Sequence, residues 1–465
     1  MRDPADDSVV AALKAALGSA VLAGDDVPAR NYNDWSTLPP LKPIAVVRPA
    51  DEQGVATAMK ICAAHGVPVV PQGGLTGLAG GATPVPGSVV ISLERLTGIE
   101  EIDANSATMI VKSGTPLEVV QRAADDAGFF FALDLGARGT CTVGGNLSTN
   151  AGGNRVIRYG MMRDLVLGLE VVLPDGTLLK SLNKMIKNNA GYDLKQLFIG
   201  SEGTLGIVTR IVLRLHPRPA CTSAAMCGLA SFEDVLGLLA SARRSLGPHL
   251  SAFEVMWPDY WSVATGRVPG VRSPLSGEHA FYVLVEAQGS DAVADPQKFE
   301  SWLADCLEHG IVADVALAQS LADIKSFWAT RDAASEFVQV LGPNISYDIG
   351  LSVSGMDNYA RECRAELARR VPGSLALFYG HIADGNMHIV VCVRDAPQQP
   401  VSEVNAVVYD LVREHRGTVS AEHGIGVTKK SYLSYTRSPE ELELMTTIKL
   451  ALDPAGLLNP GKVLG

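Results

Sequence analysis

A chain of 465 residues is too long for one ordinary hydrophobic core and reads as two or three domains. Its formal charge of −11 argues against a nucleic-acid binder, which needs a basic face, and no apolar run reaches membrane-spanning length. Seven scattered cysteines without a CxxC pair argue against a secreted disulfide framework, and Met1–Asp7 carry the wrong charge for a signal peptide, so a cytoplasmic setting is expected.

In chain order, Val9, Leu13 and Leu17 recur at helical spacing and predict an amphipathic helix over 7–18. A β-α-β pattern follows. Residues 44–47 form a β-branched run, Asp51 is a good N-cap for a helix carrying Val55, Met59 and Cys62, Gly66 stops it, and residues 67–70 make the next strand. The loop after that strand reads Pro71-Gln72-Gly73-Gly74-Leu75-Thr76-Gly77-Leu78-Ala79-Gly80-Gly81. Its glycines permit positive φ and expose successive N–H groups, which makes anion-binding nests. The spacing is not GxGxxG and no Walker lysine follows, so a structural turn is the competing reading.

Strands are expected over 89–93 and 109–111, with Pro116 in the first turn of the following helix. A second glycine-rich segment holds Gly139, Thr140, Gly144, Gly145, Ser148, Asn150, Gly152 and Gly153, and runs on to Tyr159 and Gly160. A third holds Glu202, Gly206 and Ile207 and leads into a strand over 208–215. Pro217 and Pro219 mark a domain boundary near residue 219. Three such segments in one α+β region point to a long ligand with a diphosphate and a polar ring. That is a dinucleotide; nicotinamide and flavin remain open.

Residues 220–416 alternate helical patterns, such as 232–246 and a helix from about 402 to the stop at Gly417, with strand-like runs at 280–285 and 389–393, without another glycine-rich loop. Within them, Asp384-Gly385 is a two-residue hairpin signal that would place His381 directly opposite His388. Opposed residues share a face with Cβ atoms roughly 4.5–5.5 Å apart, close enough for two imidazoles to hold one metal. An ordinary hairpin with two partly exposed histidines fits the same residues. Glu422-His423, if extended, would point to opposite faces, so that Glu422 could complete a His₂-carboxylate set while His423 faces a neighbouring pocket. A last helix runs from Pro439 towards Leu452, ahead of Asn459-Pro460-Gly461-Lys462.

Taken together, Pro71–Gly81, Gly144–Gly160, Ile199–Val208, Gly380–His388, Glu422–Gly426 and Asn459–Lys462 resemble the flavin-dependent D-2-hydroxyacid dehydrogenases. These are the D-lactate and D-2-hydroxyglutarate dehydrogenase-like members of the vanillyl-alcohol oxidase and p-cresol methylhydroxylase superfamily. The resemblance covers nearly the whole chain. It implies an α+β fold with a two-part FAD-binding domain and a substrate domain with a large antiparallel sheet. The expected limits are 1–219 for FAD binding, 220–431 for the substrate domain with the metal, and 432–465 packing on the flavin region. It implies that Pro71–Leu78 binds the FAD diphosphate, that Gly139, Thr140, Gly144, Gly145, Ser148, Asn150, Gly152, Gly153, Tyr159 and Gly160 with Glu202, Gly206 and Ile207 line the rest, and that Asn459 lies near the flavin ring. No histidine stands in the Pro71–Gly81 loop, which favours non-covalent FAD. By the same resemblance His381, His388 and Glu422 hold a divalent metal, usually zinc. His423 is the catalytic base, Arg331 binds the substrate carboxylate, and Asn386 touches substrate.

Two positions depart from the 2-hydroxyglutarate pattern: Ser346 stands where a lysine is usual and Val390 where an asparagine is usual. Losing a cation and a polar contact disfavours a second substrate carboxylate. The expectation is therefore FAD-dependent oxidation of a D-2-hydroxy monocarboxylate, such as D-lactate or a longer homologue, to the 2-oxo acid. The alternatives are D-2-hydroxyglutarate as substrate, the flavin subunit of a glycolate-oxidising complex, or a non-redox binding protein. The expected partners are the 2-hydroxy acid and an electron acceptor (electron-transfer flavoprotein, cytochrome or quinone), which could draw the protein to a membrane surface. Neither nucleic acid nor a transmembrane segment is expected. Oligomeric state stays open, a homodimer being the assembly considered.

Overall fold

The computed structural model describes residues 4–394 and 396–464, so the charged start falls partly, at residues 1–3, outside the described residues. The chain divides into two compact units, one of Met1–Gly153, Gly160–Arg218 and Glu422–Gly465, the other of Asn154–Tyr159 and Pro219–Ala421.

The first unit opens with the helix Pro4–Leu17, which buries Val9 and Leu13. A four-stranded sheet follows in the order Val21–Ala23, Ala45–Val47, Val89–Ser92, Val69–Gln72; its last three strands are parallel. Asp51 caps the helix Glu52–Ala64 by accepting the Gly54 N–H at 2.8 Å, a contact worth about 1 kcal/mol. That helix buries Val55, Met59 and Cys62, and burial pushes the Cys62 thiol up to about 12. A five-stranded antiparallel sheet runs Ile99–Asp103, Thr108–Lys112, Ile207–Arg214, Val166–Val172, Leu178–Ser181. Three of these strands, Ile99–Asp103, Val166–Val172 and Leu178–Ser181, lie beyond the sequence expectation, the first two for identifiable reasons. Ile99–Asp103 is a sheet edge rich in acids, and Val166–Val172 is a nearly continuous buried run without alternation.

The last stretch of chain is part of the first sheet. Leu458 bridges Val69 in parallel, with Asn459 N–H donating to Val69 O at 2.7 Å. The strand that feeds the first glycine loop is thus held by the C-terminal segment.

The second unit is a seven-stranded antiparallel sheet ordered Asp314–Leu317, Cys221–Leu229, Phe281–Gly289, Leu250–Met256, Ser374–His381, Asn386–Val393, Ile345–Gly350. One face packs on the helices Pro258–Arg267 and Leu321–Arg331 through Met226, Met256, Leu284, Leu377 and Val390. Phe232–Ser245, Ala294–Glu308 and Met356–Arg370 cover the other.

The units depart from the expected limits at two places. The chain rejoins the first unit at Glu422 rather than 432, because the Glu202 carboxylate takes the N–H groups of Ile425 and Gly426 at 2.7 and 2.8 Å. Residues 154–159 belong with the second unit, because Arg155 makes a two-pronged pair with buried Glu286 and the Tyr159 hydroxyl donates to Gln288 Oε1.

Candidate functional site

In the first unit the predicted cofactor segments converge. Side chains at Gly73 and Gly74 would overlap Thr142 Oγ1 and Thr140 O, so the first glycine loop lies directly on the second segment. Gly200 and Glu202 donate their N–H groups to Leu147 O and Ser148 O at 3.0 and 2.8 Å, which docks the third segment on the second. Asn459 Nδ2 ties Gly81 O and Glu202 O together at 3.0 and 2.8 Å. Leu75, Asn150, Glu202 and Asn459 all hold positive φ, between 44° and 62°, although none is glycine. Such strain persists only where surrounding contacts over-determine it, and it clusters at ligand sites.

The individual residues take different parts. Gln72 is buried and bonds Asn31 and Ala82 O, bracing the loop's two ends. Leu75, Thr76, Gly77 and Leu78 are half-buried or exposed along the loop. Ser148 Oγ donates to Gly144 O at 2.7 Å, and Asn150 Oδ1 accepts the Arg163 N–H at 2.9 Å. Gly153 lies against Asp134 O, and Gly206 against Val171 and Phe198, while Ile207 is buried in the core with Val172. Tyr159 belongs to the second unit. The Glu202 carboxylate is engaged by Ile425 and Gly426, and burial, the largest influence on it, pushes its pKa up.

In the second unit the hairpin is present with a different register. Its strands end at His381 and resume at Asn386; a 3₁₀ turn over Ile382–Asp384 closes on Gly385 at φ 88°. A two-residue type I′ turn would need positive φ at Asp384 too, and the longer turn avoids that cost. The consequence is that Tyr379, not His381, lies opposite His388. His381 pairs across the other edge with Glu254. The two imidazoles still meet, ring centres 5.4 Å apart, and both are buried rather than partly exposed.

Around His381 lies one buried polar network. Nδ1 is 2.7 Å from Glu254 Oε1, and Arg331 Nη2 is 2.7 Å from Nε2. A guanidinium only donates and a carboxylate only accepts, so His381 carries its proton on Nδ1 and a lone pair on Nε2. Arg331 also donates Nε to Glu254 Oε2 at 2.8 Å and Nη1 to Asp332 Oδ1 at 3.1 Å. Burial opposes ionisation of Glu254, but His381 and Arg331 beside it hold its carboxyl at about 2. Asn386 Nδ2 donates to Asp348 Oδ1 at 2.8 Å and to Ile349 O at 3.1 Å, while its buried Oδ1 has no protein donor among the described residues.

Glu422 and His423 open the returning segment of the first unit, half-buried in a bend rather than an extended pair. Gly424 at φ 79° and Gly426 at φ 50° turn the backbone there. The residue before them, Ala421, is held in the second unit by its N–H on Asp348 Oδ2 at 3.2 Å.

For FAD, four glycine-rich or strained segments meet, and the buried Asn459 Oδ1 has no protein donor among the described residues. For a divalent metal, two buried histidines share one location, and His381 has the tautomer a metal takes at Nε2. Both groups fit. Sequence reasoning missed Asp34, which braces the first glycine loop through Ala82 N–H and Thr83 Oγ1, and the buried acids Glu254, Asp348 and Glu286. An acid inside an apolar strand run, as in Phe281–Gly289, was the available signal.

Comparison with known proteins gives the same outline. The model of FAD linked oxidases, C-terminal domain, matches residues 218–463, and that of an FAD binding domain matches 43–181. A D-2-hydroxyglutarate dehydrogenase of Arabidopsis thaliana, mitochondrial by name, is 38% identical over 99% of this chain and 82% of its own. A Schizosaccharomyces pombe protein, provisionally named a mitochondrial D-lactate dehydrogenase, is 37% identical over 92% of this chain and 83% of its own. The solved p-cresol methylhydroxylase with substrate bound superposes with a TM-score of 0.78 at 16% identity, covering 100% of this chain and 97% of its own.

Proposed function

Because the chain belongs to the FAD-linked oxidases, as an FAD-dependent oxidoreductase with the vanillyl-alcohol oxidase and p-cresol methylhydroxylase fold, we propose that it oxidises a D-2-hydroxy acid to the 2-oxo acid, preferring a single carboxylate. The observation that carries the preference is a register: Ser346 lies directly opposite Val390, two residues along the ladder from His388 and on its face. The two departures from the 2-hydroxyglutarate pattern therefore stand together, and neither side chain gives a second carboxylate a cation or an amide.

The segments Pro71–Leu78, Gly139–Gly160 and Glu202–Ile207, with Asn459, would hold FAD without a covalent bond. Bound flavin supplies the two-electron acceptor for the C2 hydrogen. His381, His388 and Glu422 would hold a divalent ion, for which zinc suits the ligand set, and the ion supplies positive charge beside the substrate hydroxyl. Arg331 has two N–H groups beyond its three contacts on Glu254, Asp332 and His381, enough for a carboxylate clamp. Asn386 Oδ1, which has no protein donor among the described residues, accepts from the hydroxyl and so orients it. His423 takes the hydroxyl proton, a task suited to an imidazole of ordinary pKa about 6.5.

Anaerobic bleaching of the bound flavin by a panel of D- and L-2-hydroxy acids tests this. Bleaching by D- but not L-acids, fastest with monocarboxylates, is expected, and His423→Ala should keep the flavin yet lose bleaching. A colourless protein would overturn the reading. The second reading, D-2-hydroxyglutarate, has the names of several relatives behind it, and faster bleaching by that diacid would establish it instead. Candidate acceptors are an electron-transfer flavoprotein, a cytochrome or a quinone, ranked by their reoxidation of the bleached enzyme. No described helix is long and apolar enough to cross a membrane. The cytoplasmic setting is kept as part of the proposal; relatives named as mitochondrial make fractionation of the native protein its test.

A further inference from the structure

Each histidine of the hairpin lies directly across a strand pair from a buried carboxylate: His381 from Glu254, and His388 from Asp348. Four neighbouring strands deliver this arrangement, Leu250–Met256, Ser374–His381, Asn386–Val393 and Ile345–Gly350. Glu254 is 1% exposed and Asp348 0%, and such acids are rare inside a sheet unless paired.

We infer that Glu254 and Asp348 are positioning residues for the metal site, Glu254 by setting the direction of the histidine opposite it and Asp348 by holding Asn386 and the chain that leads into Glu422. The inference rests on the metal reading above. For Glu254 the contact is direct: Oε1 takes the Nδ1 proton of His381 at 2.7 Å, which keeps the lone pair on Nε2, where the Arg331 Nη2–H sits at 2.7 Å and an ion would take its place. Its other oxygen takes Arg331 Nε at 2.8 Å, so a single carboxylate aims both a metal ligand and the substrate clamp.

Asp348 acts from the far side. It accepts Asn386 Nδ2 at 2.8 Å, and Ser420 Oγ and the Ala421 N–H at 3.2 Å each. The residue after Ala421 is Glu422. Asp348 therefore stands opposite one histidine ligand, holds Asn386, and anchors the chain one peptide short of the carboxylate ligand. Carboxylates behind ligating histidines fix the tautomer and ring direction, and their loss typically lowers metal affinity about 10- to 100-fold.

The test is metal affinity, measured by zinc titration against a competing chelator on the full chain with its flavin bound, with flavin content and thermal midpoint recorded alongside. Glu254→Gln and Asp348→Asn keep size but lose an acceptor and the charge. Each should bind zinc about 10- to 100-fold more weakly. His381→Ala separates the two levels. If it binds zinc like the wild type, the metal reading itself fails. If it loses zinc while both amide variants match the wild type, the positioning inference alone is overturned. Should either amide variant not fold, Glu254→Asp and Asp348→Glu keep the charge at a changed reach and carry the same readout: weakened zinc binding supports the inference, unchanged binding refutes it.

Discussion

At the scale of single residues, Glu254 concentrates more consequence than any residue marked in advance. Its carboxyl, held at about 2 against an ordinary 4.5, contributes stability that is complete above pH 4.5 and declines as pH falls towards 2. The size is on the order of 3 kcal/mol. Glu254→Gln carries no such titration, so its stability deficit in urea should be constant from pH 7 to 5 and shrink below 4.5. A deficit that stays flat down to pH 3 would show that the carboxylate is not held this way. Glu254 was invisible in the sequence because its partner His381 lies 127 positions away, whereas His381 and His388 announced themselves by spacing. Asn386 likewise was legible by resemblance, but the Oδ1 without a donor among the described residues, which gives it a task, required the fold.

At the scale of elements, local signals set the existence of strands and helices well and their register poorly. Asp51 caps the helix it should, and the last helix runs Pro439–Leu452 with Ser438 and Glu441 completing a capping box. The hairpin shows the limit. Asp384-Gly385 marks a turn, but a four-residue connection moves the register by two positions. A shift of two preserves the face, which is why the two histidines still meet. The opposition of Ser346 and Val390 is an element-scale fact with a functional reading. Installing Ser346→Lys with Val390→Asn should restore a cation and an amide on one ladder rung. The ratio of kcat/KM for D-2-hydroxyglutarate over D-lactate should then rise at least about tenfold, the worth of one charge-assisted hydrogen bond. An unchanged ratio in a folded double variant would remove these positions from specificity.

At the scale of the whole molecule, the first unit is assembled from three separate stretches of chain, and its glycine-rich segments are held by residues from the last. Leu458 joins the strand that feeds the first loop, Asn459 ties Gly81 to Glu202, and Glu202 grips the backbone just beyond His423. Glu202→Ala would leave the Ile425 and Gly426 N–H groups without their acceptor, at about 1–3 kcal/mol for each that stays buried. Lower thermal stability, faster flavin release and slower flavin reduction are expected together. Retention of all three at wild-type values would assign Glu202 no part in this assembly.

By itself the sequence determined the composition of the machinery: glycines where backbones must touch, an aspartate at a helix start, two histidines beside a turn, and an ordered set of motifs specific enough to resemble one enzyme family. Those are local signals, and local physics writes them. The tertiary structure decided which groups became neighbours. It set Glu254 and Asp348 across from the histidines, joined Arg155 to Glu286, and returned the chain to its first unit at Glu422. Strand pairing between distant segments depends on burying whole faces at once, and no short window of sequence contains that information.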